Sequence, residues 1–352
     1  MMKVTGVTRR EFHNLTKEEI ITHEKEVNQA KLDELKRWHD LNCFRRMPRH
    51  KATNKVDGTW VLKWKKVRST TGDKEECTRI IKAILTARGF KDMQAFDDNV
   101  KTYSGTASKW AQRAVNAYAA QTGYELFSMD ISAAFLKGMT FEEISRLTGD
   151  PLRSVQFDFP SKDAWLLQQL PGMEDYDNHL EVLDFIKALW GLKDAPRAFG
   201  LQLSKTLRKL GYTQGIMDSQ VWRRFRDAGQ KPTSNLDTLN SMSEREAEEL
   251  HNYTWGEGTD GTPSTNRVTD SGAKRKPTAT DDIVLGRNLS CMISTHIDDI
   301  KGAAEQKERE NLLNALRKDY GSDVKMETRS FEHTGIKHEQ RSDGSVYTHQ
   351  NH

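Results

Sequence analysis

The stretch from Leu126 to Gly138, LFSMDISAAFLKG, constrains this chain most. It reads as a short apolar strand, a carboxylate at its end and a tight small-residue turn into a second apolar patch. Alternation puts Leu126, Ser128 and Asp130 on one face and Phe127, Met129 and Ile131 on the other. An acid at the rim of a buried strand is placed to hold a cation. An acid also ends a strand simply by starting a turn, so the rest of the chain must decide between the two.

The chain has 352 residues, 36% of them hydrophobic and 30% charged, which describes a polar protein with parts that do not pack. Its net charge is only +3, but nine Lys and Arg fall between Arg45 and Arg68 against one acid, Asp57. That run suits a polyanion partner, and it also suits a solvated basic face. Cys43, Cys77 and Cys291 are far apart and lack metal spacing, consistent with a reducing compartment. No apolar run approaches ~20 residues, so no membrane span is expected. The start MMKVTGVTRREF has no signal-peptide core. The expected location is intracellular, in a cytoplasmic particle or the nucleus.

Thr16 with Glu19 forms a capping-box pattern opening a charged helix over 17–41. From Trp60 the period becomes two: Trp60, Leu62 and Trp64 share one face, Lys63 and Lys65 the other. STTGD at 69–73 is turn chemistry, and Thr78 to Arg88 returns with Lys82 and Arg88 of one parity. Ala107 to Thr122 reads as a helix with Trp110, Ala111, Ala114, Val115, Tyr118 and Ala119 on its buried stripe, stopped by Gly123. Thr140 and Glu143 cap a short helix, followed by irregular chain to about 177. Val182 to Leu189 is strand-like, and Asp194 is placed to cap a helix ended by Gly211. Residues 226–288 are rich in Gly, Ser, Thr, Pro, Asn and charge, and read as a disordered insertion with one short helix from Ser243 to Tyr253. CMISTHIDDIKG is a strand entering an acidic turn, Leu312, Leu313, Leu316 and Tyr320 mark a helix, and the tail reads as short strands around Gly335 and Gly344.

These motifs, in this order, resemble the reverse transcriptase of copia-type LTR retrotransposons, an RNA-directed DNA polymerase within a Pol polyprotein. The likeness covers roughly residues 25 to 349. TWVLKWK and RIIKAILTARGF resemble its fingers segment, MDISAAFLKG its first catalytic motif, and ALWGLKDAPRAF its glycine–lysine–proline motif. HIDDI stands in place of its double-aspartate signature, and FEHTGI resembles the segment that supports the primer. Asp-Asp occurs three times, but only Asp298-Asp299 follows an apolar β-like run in the right order. Asp97-Asp98 and Asp281-Asp282 read as loop acids.

The resemblance implies an α+β chain with the fingers and palm of a right-hand polymerase, the palm an antiparallel sheet with helices on one face. It divides the chain into a helical lead (1–42), a fingers-like basic hairpin and helix (43–120), and a first palm half (121–225) with an insertion at about 141–168. The insertion 226–288 follows, then a second palm half with the primer-supporting segment (289–352). The expected chain ends before a complete thumb, with thumb, ribonuclease H and integrase regions as missing partners from the same polyprotein. Asp130, Asp298 and Asp299 are the implied catalytic carboxylates. They would hold two Mg²⁺ ions (or Mn²⁺), with the Ile131 carbonyl as an extra ligand. Lys82 and Arg88 would contact the incoming dNTP, although Arg88 could equally support the fold. Phe135 would exclude a ribose 2′ hydroxyl, or is an ordinary core ring. Gly191 and Lys193 would let backbone and cation approach nucleotide and template, or Gly191 is a plain turn. Trp190 would stack near the template base. Lys63, Lys65, His296 and Gly335 would lie along an RNA template and DNA primer.

Two departures stand out. His296 replaces a usual Tyr, and Lys301-Gly302 replaces an apolar continuation. The alternatives are a catalytically inactive retrotransposon remnant that at most binds nucleic acid, and an unrelated basic binding module. Oligomeric state is not legible.

Overall fold

The computed structural model describes residues 14–71, 74–96, 100–225 and 289–350, and the side chains among them other than 66–78. The 226–288 insertion with its short helix, the pairs Asp97-Asp98 and Asp281-Asp282, and the first part of the helical lead lie outside the described residues. Two compact units are each assembled from two stretches: Met1–Tyr103 with Phe135–Ala198, and Ser104–Ala134 with Phe199–His352.

In the first unit Thr16 and Glu19 cap each other reciprocally and start α1 (Lys17–Thr22). His23 leaves the helical backbone region, so the expected single helix is broken before α2 (Glu24–Asp40). A five-stranded sheet runs in the order β1 (Phe44–Pro48), β6 (Glu181–Phe185), β5 (Gln156–Asp158), β2 (Lys55–Thr71), β3 (Lys74–Ala87). Only the β2–β5 pair is parallel. The β2–β3 hairpin stays paired out to Thr71 opposite Lys74, so the strands consume most of the expected turn. Trp38 on α2 closes the core, its ring 5.9 Å from Phe157 and 5.7 Å from Phe185. The expected short helix forms as α4 (Phe141–Thr148), burying Phe141, whereas the stretch after it, expected to be irregular, is ordered: β5 and α5 (Ala164–Leu167) bury Phe157, Leu166 and Leu167.

The basic run is a finding of its own. Arg45 pairs with Asp184 at 2.8 Å, Arg46 with Glu181 at 2.7 Å and Asp175 at 2.5 Å, and Arg49 with Asp158 at 2.7 Å. These arginines pair with acids on and beside β5 and β6, so at Arg45, Arg46 and Arg49 the basic run meets carboxylates of the chain itself. Deeper in the unit, Arg153 pairs with both Asp92 and Asp194, all three nearly removed from solvent. Asp194 therefore spends its side chain on Arg153, and α6 (Ala195–Lys209) begins with the Asp194 carbonyl accepting from the Ala198 N–H.

The second unit is built on a six-stranded sheet in the order β11 (Lys325–Thr328), β4 (Glu125–Asp130), β10 (Asp299–Ala304), β9 (Leu289–His296), β8 (Val221–Phe225), β7 (Thr213–Gln214). A separate three-stranded sheet joins β12 (Ser330–His333), β13 (Ile336–Gln340) and β14 (Val346–His349). Ser108 caps α3 (Lys109–Thr122), and its buried line is Ala111, Val115 and Ala119. Trp110 and Ala114, expected on that stripe, face solvent. Trp110 is 75% exposed, with the Arg113 guanidinium 5.1 Å from its ring. Val115 and Ala119 pack with Leu126, Ala303 and Phe331. On α7 (Gln306–Tyr320), Leu312, Leu313, Leu316 and Tyr320 are buried as the sequence stripe requires.

Gly302 is buried between two neighbours in register, Phe127 on β4 and Ile293 on β9. A methyl group added there would lie 2.5 Å from the Phe127 ring and 2.6 Å from Ile293 Cγ2. The departure at this position is thus a packing solution: the neighbours' bulk fills the space a side chain would take. Gly302→Val should destabilise the second unit by about 1–3 kcal/mol, measured as a fall in the denaturant midpoint without a change in slope.

Candidate functional site

The carboxylates come together through one strand pairing. In the antiparallel β4–β10 register Asp299 stands directly opposite Asp130, so the two share a face of the sheet. Asp298 occupies the tip of the two-residue β9–β10 turn, and its carbonyl accepts a 3.2 Å hydrogen bond from the Ile131 N–H. Ile131, whose carbonyl is the expected extra ligand, therefore meets the hairpin tip through its N–H. The other turn residue, Ile297, has φ of 59°, an uncommon conformation for a β-branched side chain and one that costs energy unless its surroundings hold it.

Electrostatics at this point follow from crowding. Asp130 is exposed and Asp298 and Asp299 are half-buried. Burial, and then the neighbouring charges of Asp298 and Asp130, push the Asp299 carboxyl up to about 6. As they stand, no three His, Cys, Asp or Glu side chains among the described residues converge to hold an ion. The donor chemistry nevertheless fits a hard divalent cation: oxygen ligands only, two of them in cross-strand register, and one raised toward protonation by burial and then by the others.

Two neighbours had no role assigned from the sequence, Lys325 unnoticed and Lys301 noted only as a departure. Lys325 on β11 faces Asp130 from its other side, giving that carboxylate an acid on one flank and an ammonium on the other. Lys301, on the same strand face as Asp299, is fully buried. Its ammonium donates to the Gln112 carbonyl at 2.8 Å and to Asn116 Oδ1 at 3.1 Å on α3, and lies 3.4 Å from His338 Nε2. Burial lowers Lys301 to about 7, His338 to about 4 and His333 to about 3, so both histidines are neutral at pH 7. The unusual lysine is a peg between the acidic strand and α3.

Among the primer and template candidates, His296 faces Asp299 across the turn, and its Nδ1 is buried without a partner. Gly335 has φ of 77° and follows Thr334 at 51° in the turn between β12 and β13, and a side chain there would meet open space. The two positive φ values explain this glycine as hairpin chemistry.

The nucleotide-side candidates all belong to the first unit. Lys63 on β2 and Lys82 on β3 are directly opposite each other, while Lys65 faces Ile80 and is exposed. The Glu34 carboxylate on α2 lies within electrostatic reach of Lys82. Arg88 donates to Asp57 at 3.0 Å, which supports its structural reading. The Phe135 ring is half-buried, 4.3 Å from Trp190. Gly191, with φ of 94°, touches the carbonyl of Ala87, and the Ala87 N–H donates to the Trp190 carbonyl at 2.7 Å. Its lack of a side chain is required by the neighbouring strand end. Lys193 Nζ sits 4.9 Å over the Phe96 ring.

Comparison with known proteins is consistent with part of this. No protein-family model matches the chain. The chain is 25% identical over 191 residues, 49% of its length, to the retrovirus-related Pol polyprotein from transposon RE1 of Arabidopsis thaliana. It is 26% identical over 141 residues, 40% of its length, to the corresponding polyprotein from transposon RE2 of the same plant. It spans 12% and 8% of the length of these curated relatives. Among the described residues no helix is long and apolar enough to cross a membrane. By sequence, then, this chain is similar to short stretches of retrotransposon Pol polyproteins.

Proposed function

We propose that this chain is a reverse transcriptase region of a retrotransposon Pol polyprotein, with fingers and palm elements, transferring nucleotides from dNTPs to a primer 3′ hydroxyl on an RNA template. The observation that carries the reading is the pairing of Asp130 with Asp299, with Asp298 at the adjoining turn. Three acids brought to one strand end from positions this far apart weaken a sheet, and a polymerase has a use for them.

In this reading Asp130, Asp298 and Asp299 hold Mg²⁺, with Mn²⁺ as a substitute. The bound cations would supply charge stabilisation to the attacking and leaving oxygens of an in-line phosphoryl transfer. The protein's own contributions are distinct. The Ile131–Asp298 hydrogen bond fixes the turn tip to the end of β4, and the Lys301 peg fixes β10 against α3. Lys325 stands opposite Asp130 in the β11–β4 register and leaves it exposed. The cross-strand pair Lys63 and Lys82 would attract the triphosphate or the template backbone, and Lys193 the template. Phe135, held by Trp190, would present its ring edge to the sugar and exclude a 2′ hydroxyl by contact alone.

The direct test is Mg²⁺-dependent extension of a DNA primer on an RNA template. Wild-type protein should extend it, and Asp130→Asn or Asp298→Asn should lose extension by more than the ~10–100-fold that even an outer partner of a metal ligand is worth. Template affinity should persist in both variants. Salt-sensitive template binding with no extension by the wild type, even with the following polyprotein region added back, would instead identify a non-catalytic remnant.

Phe135→Ala should lower discrimination against ribonucleotides roughly ten- to hundred-fold in the same assay, with deoxynucleotide extension largely retained. Unchanged discrimination would leave Phe135 as a packing residue.

Asp299 gives a pH signature independent of turnover. Its folded-state value lies above that of an unfolded aspartate, so the folded form holds the proton more tightly. The resulting cost is absent below about pH 3.8, grows with pH and is complete above about 6. The melting temperature of metal-free protein should therefore carry a downward contribution between those limits that Asp299→Asn removes. Added Mg²⁺ should raise the melting temperature more at pH 7.5 than at pH 5. An Mg²⁺ effect equal at both pH values would argue against these carboxylates as the site.

A further inference from the structure

Glu34 is one of the buried residues of α2, the helix that packs against β3, and only 3% of it reaches solvent. A carboxylate is costly to bury unless strong partners surround it. Its own helix supplies weak ones. The Trp38 indole N–H donates to Oε1 at 3.3 Å, and the Arg37 guanidinium stands 3.5 Å from Oε2 with its side chain 53% exposed. Neither contact reaches the ~2.7–2.9 Å of a charge-assisted bond. Burial accordingly pushes the Glu34 carboxyl above the usual range, and Arg37 and Lys82 pull it back only in part. The fold therefore carries Glu34 at a cost.

The cation that answers this carboxylate from outside the helix is on β3. Lys82 is within electrostatic reach of Glu34, half-buried, and directly opposite Lys63 on β2. Two ammonium groups in that register repel each other. Glu34 breaks the symmetry between them. It sits near the middle of a 17-residue helix, next to the fully buried Leu35 and one turn before the fully buried Trp38, so its own position is fixed. Its attraction draws the Lys82 ammonium toward α2 and away from Lys63. A long side chain held in this way has less freedom left to lose when a ligand arrives.

The same helix is tied to the other side of the candidate nucleotide site. The Cys43 N–H donates to the Trp38 carbonyl at 2.9 Å. Lys187 Nζ donates to the Leu41 carbonyl at 2.8 Å and to the Leu136 carbonyl at 3.2 Å. Leu136 directly follows Phe135 in the chain. A lysine aimed from α2 thus keeps a fixed relation to the ring that would meet the sugar.

We infer that Glu34 is a positioning residue for Lys82, holding its ammonium before any nucleotide arrives in the place where it meets the triphosphate. The inference rests on the polymerase reading and adds to it a residue that touches neither nucleotide nor metal.

The test is a double-mutant cycle on the full chain, built from Glu34→Gln and Lys82→Met. It is read as KM and kcat for dATP in Mg²⁺-dependent extension of an oligo-dA primer on poly-rU. Glutamine keeps the shape and still accepts from Trp38, and it removes a carboxyl that folding holds above its ordinary range. At pH 7 the melting temperature of Glu34→Gln should therefore be no lower than that of the wild type. Its KM for dATP should rise about ten-fold, with kcat within about two-fold. Lys82→Met should raise KM at least as far, and adding Glu34→Gln to it should change KM by less than about two-fold. A residue acting only on the fold would give effects that multiply. Glu34→Asp, which keeps the charge but shortens its reach, should raise KM by a smaller factor and guards against misfolding of the glutamine variant. An unchanged KM in either folded Glu34 variant, or a rise that multiplies with that of Lys82→Met, overturns the inference and leaves the polymerase reading standing, because extension persists. Wild-type protein that extends no primer overturns the polymerase reading, and this inference with it.

Discussion

Aspartate facing aspartate across adjacent strands is a repulsive pairing, and much of the second unit serves to hold it in register. A slip of one residue between β4 and β10 would turn Asp299 to the opposite face of the sheet. Against that slip stand Gly302, seated between Phe127 and Ile293, and Lys301, whose buried ammonium is bonded to Gln112 and Asn116. The Ile131 N–H closes the far end on the Asp298 carbonyl. Packing, a buried cation and a backbone hydrogen bond thus secure one alignment. Burial disfavours the charged form of Lys301, but its hydrogen bonds to α3 act with the other two contacts against the slip.

The first unit solves a different problem. Its sheet brings an arginine-rich edge strand beside acids on β5 and β6, and the ion pairs Arg45–Asp184, Arg46–Glu181 and Arg49–Asp158 follow the strand order. Most of these are partly exposed and contribute little stability individually. Arg153 with Asp92 and Asp194 is a buried case, where loss of any partner would leave a charge stranded. That network also supports the segment from Gly89 to Phe96, so a structural ion cluster sets the position of an exposed surface.

Local patterns in the sequence carried far, and nonlocal ones did not. The Thr16–Glu19 and Thr140–Glu143 boxes and the α7 stripe are each encoded within a few residues, and each formed as read. The alternation of β4 correctly separated Asp130 from Phe127. Its partner Lys325, nearly two hundred residues later, left no trace in that alternation. The pairing of Arg45, Arg46 and Arg49 was hidden in the basic run because their acids lie more than a hundred residues away. The stretch after Gly149 looked irregular because β5 is only three residues long, and a strand that short has no period to detect. Trp110 misled for another reason: a helical stripe is wide, and a ring at its margin can lie flat under Arg113 on the outside. For the carboxylates the residue types and their order were legible, whereas the register that makes them neighbours was not.

The seam between Gly89 and Gly191 has a consequence for how this chain can vary. A side chain at Gly191 would strike the Ala87 carbonyl, and one at Gly89 would strike the Gly191 carbonyl. Neither clash is with a flexible side chain that could swing aside, because both are with main chain. Substitution at one position therefore cannot be rescued by a compensating change at the other, since neither glycine has a group left to remove. Unless the main chain itself shifts at the seam, both positions accept glycine alone.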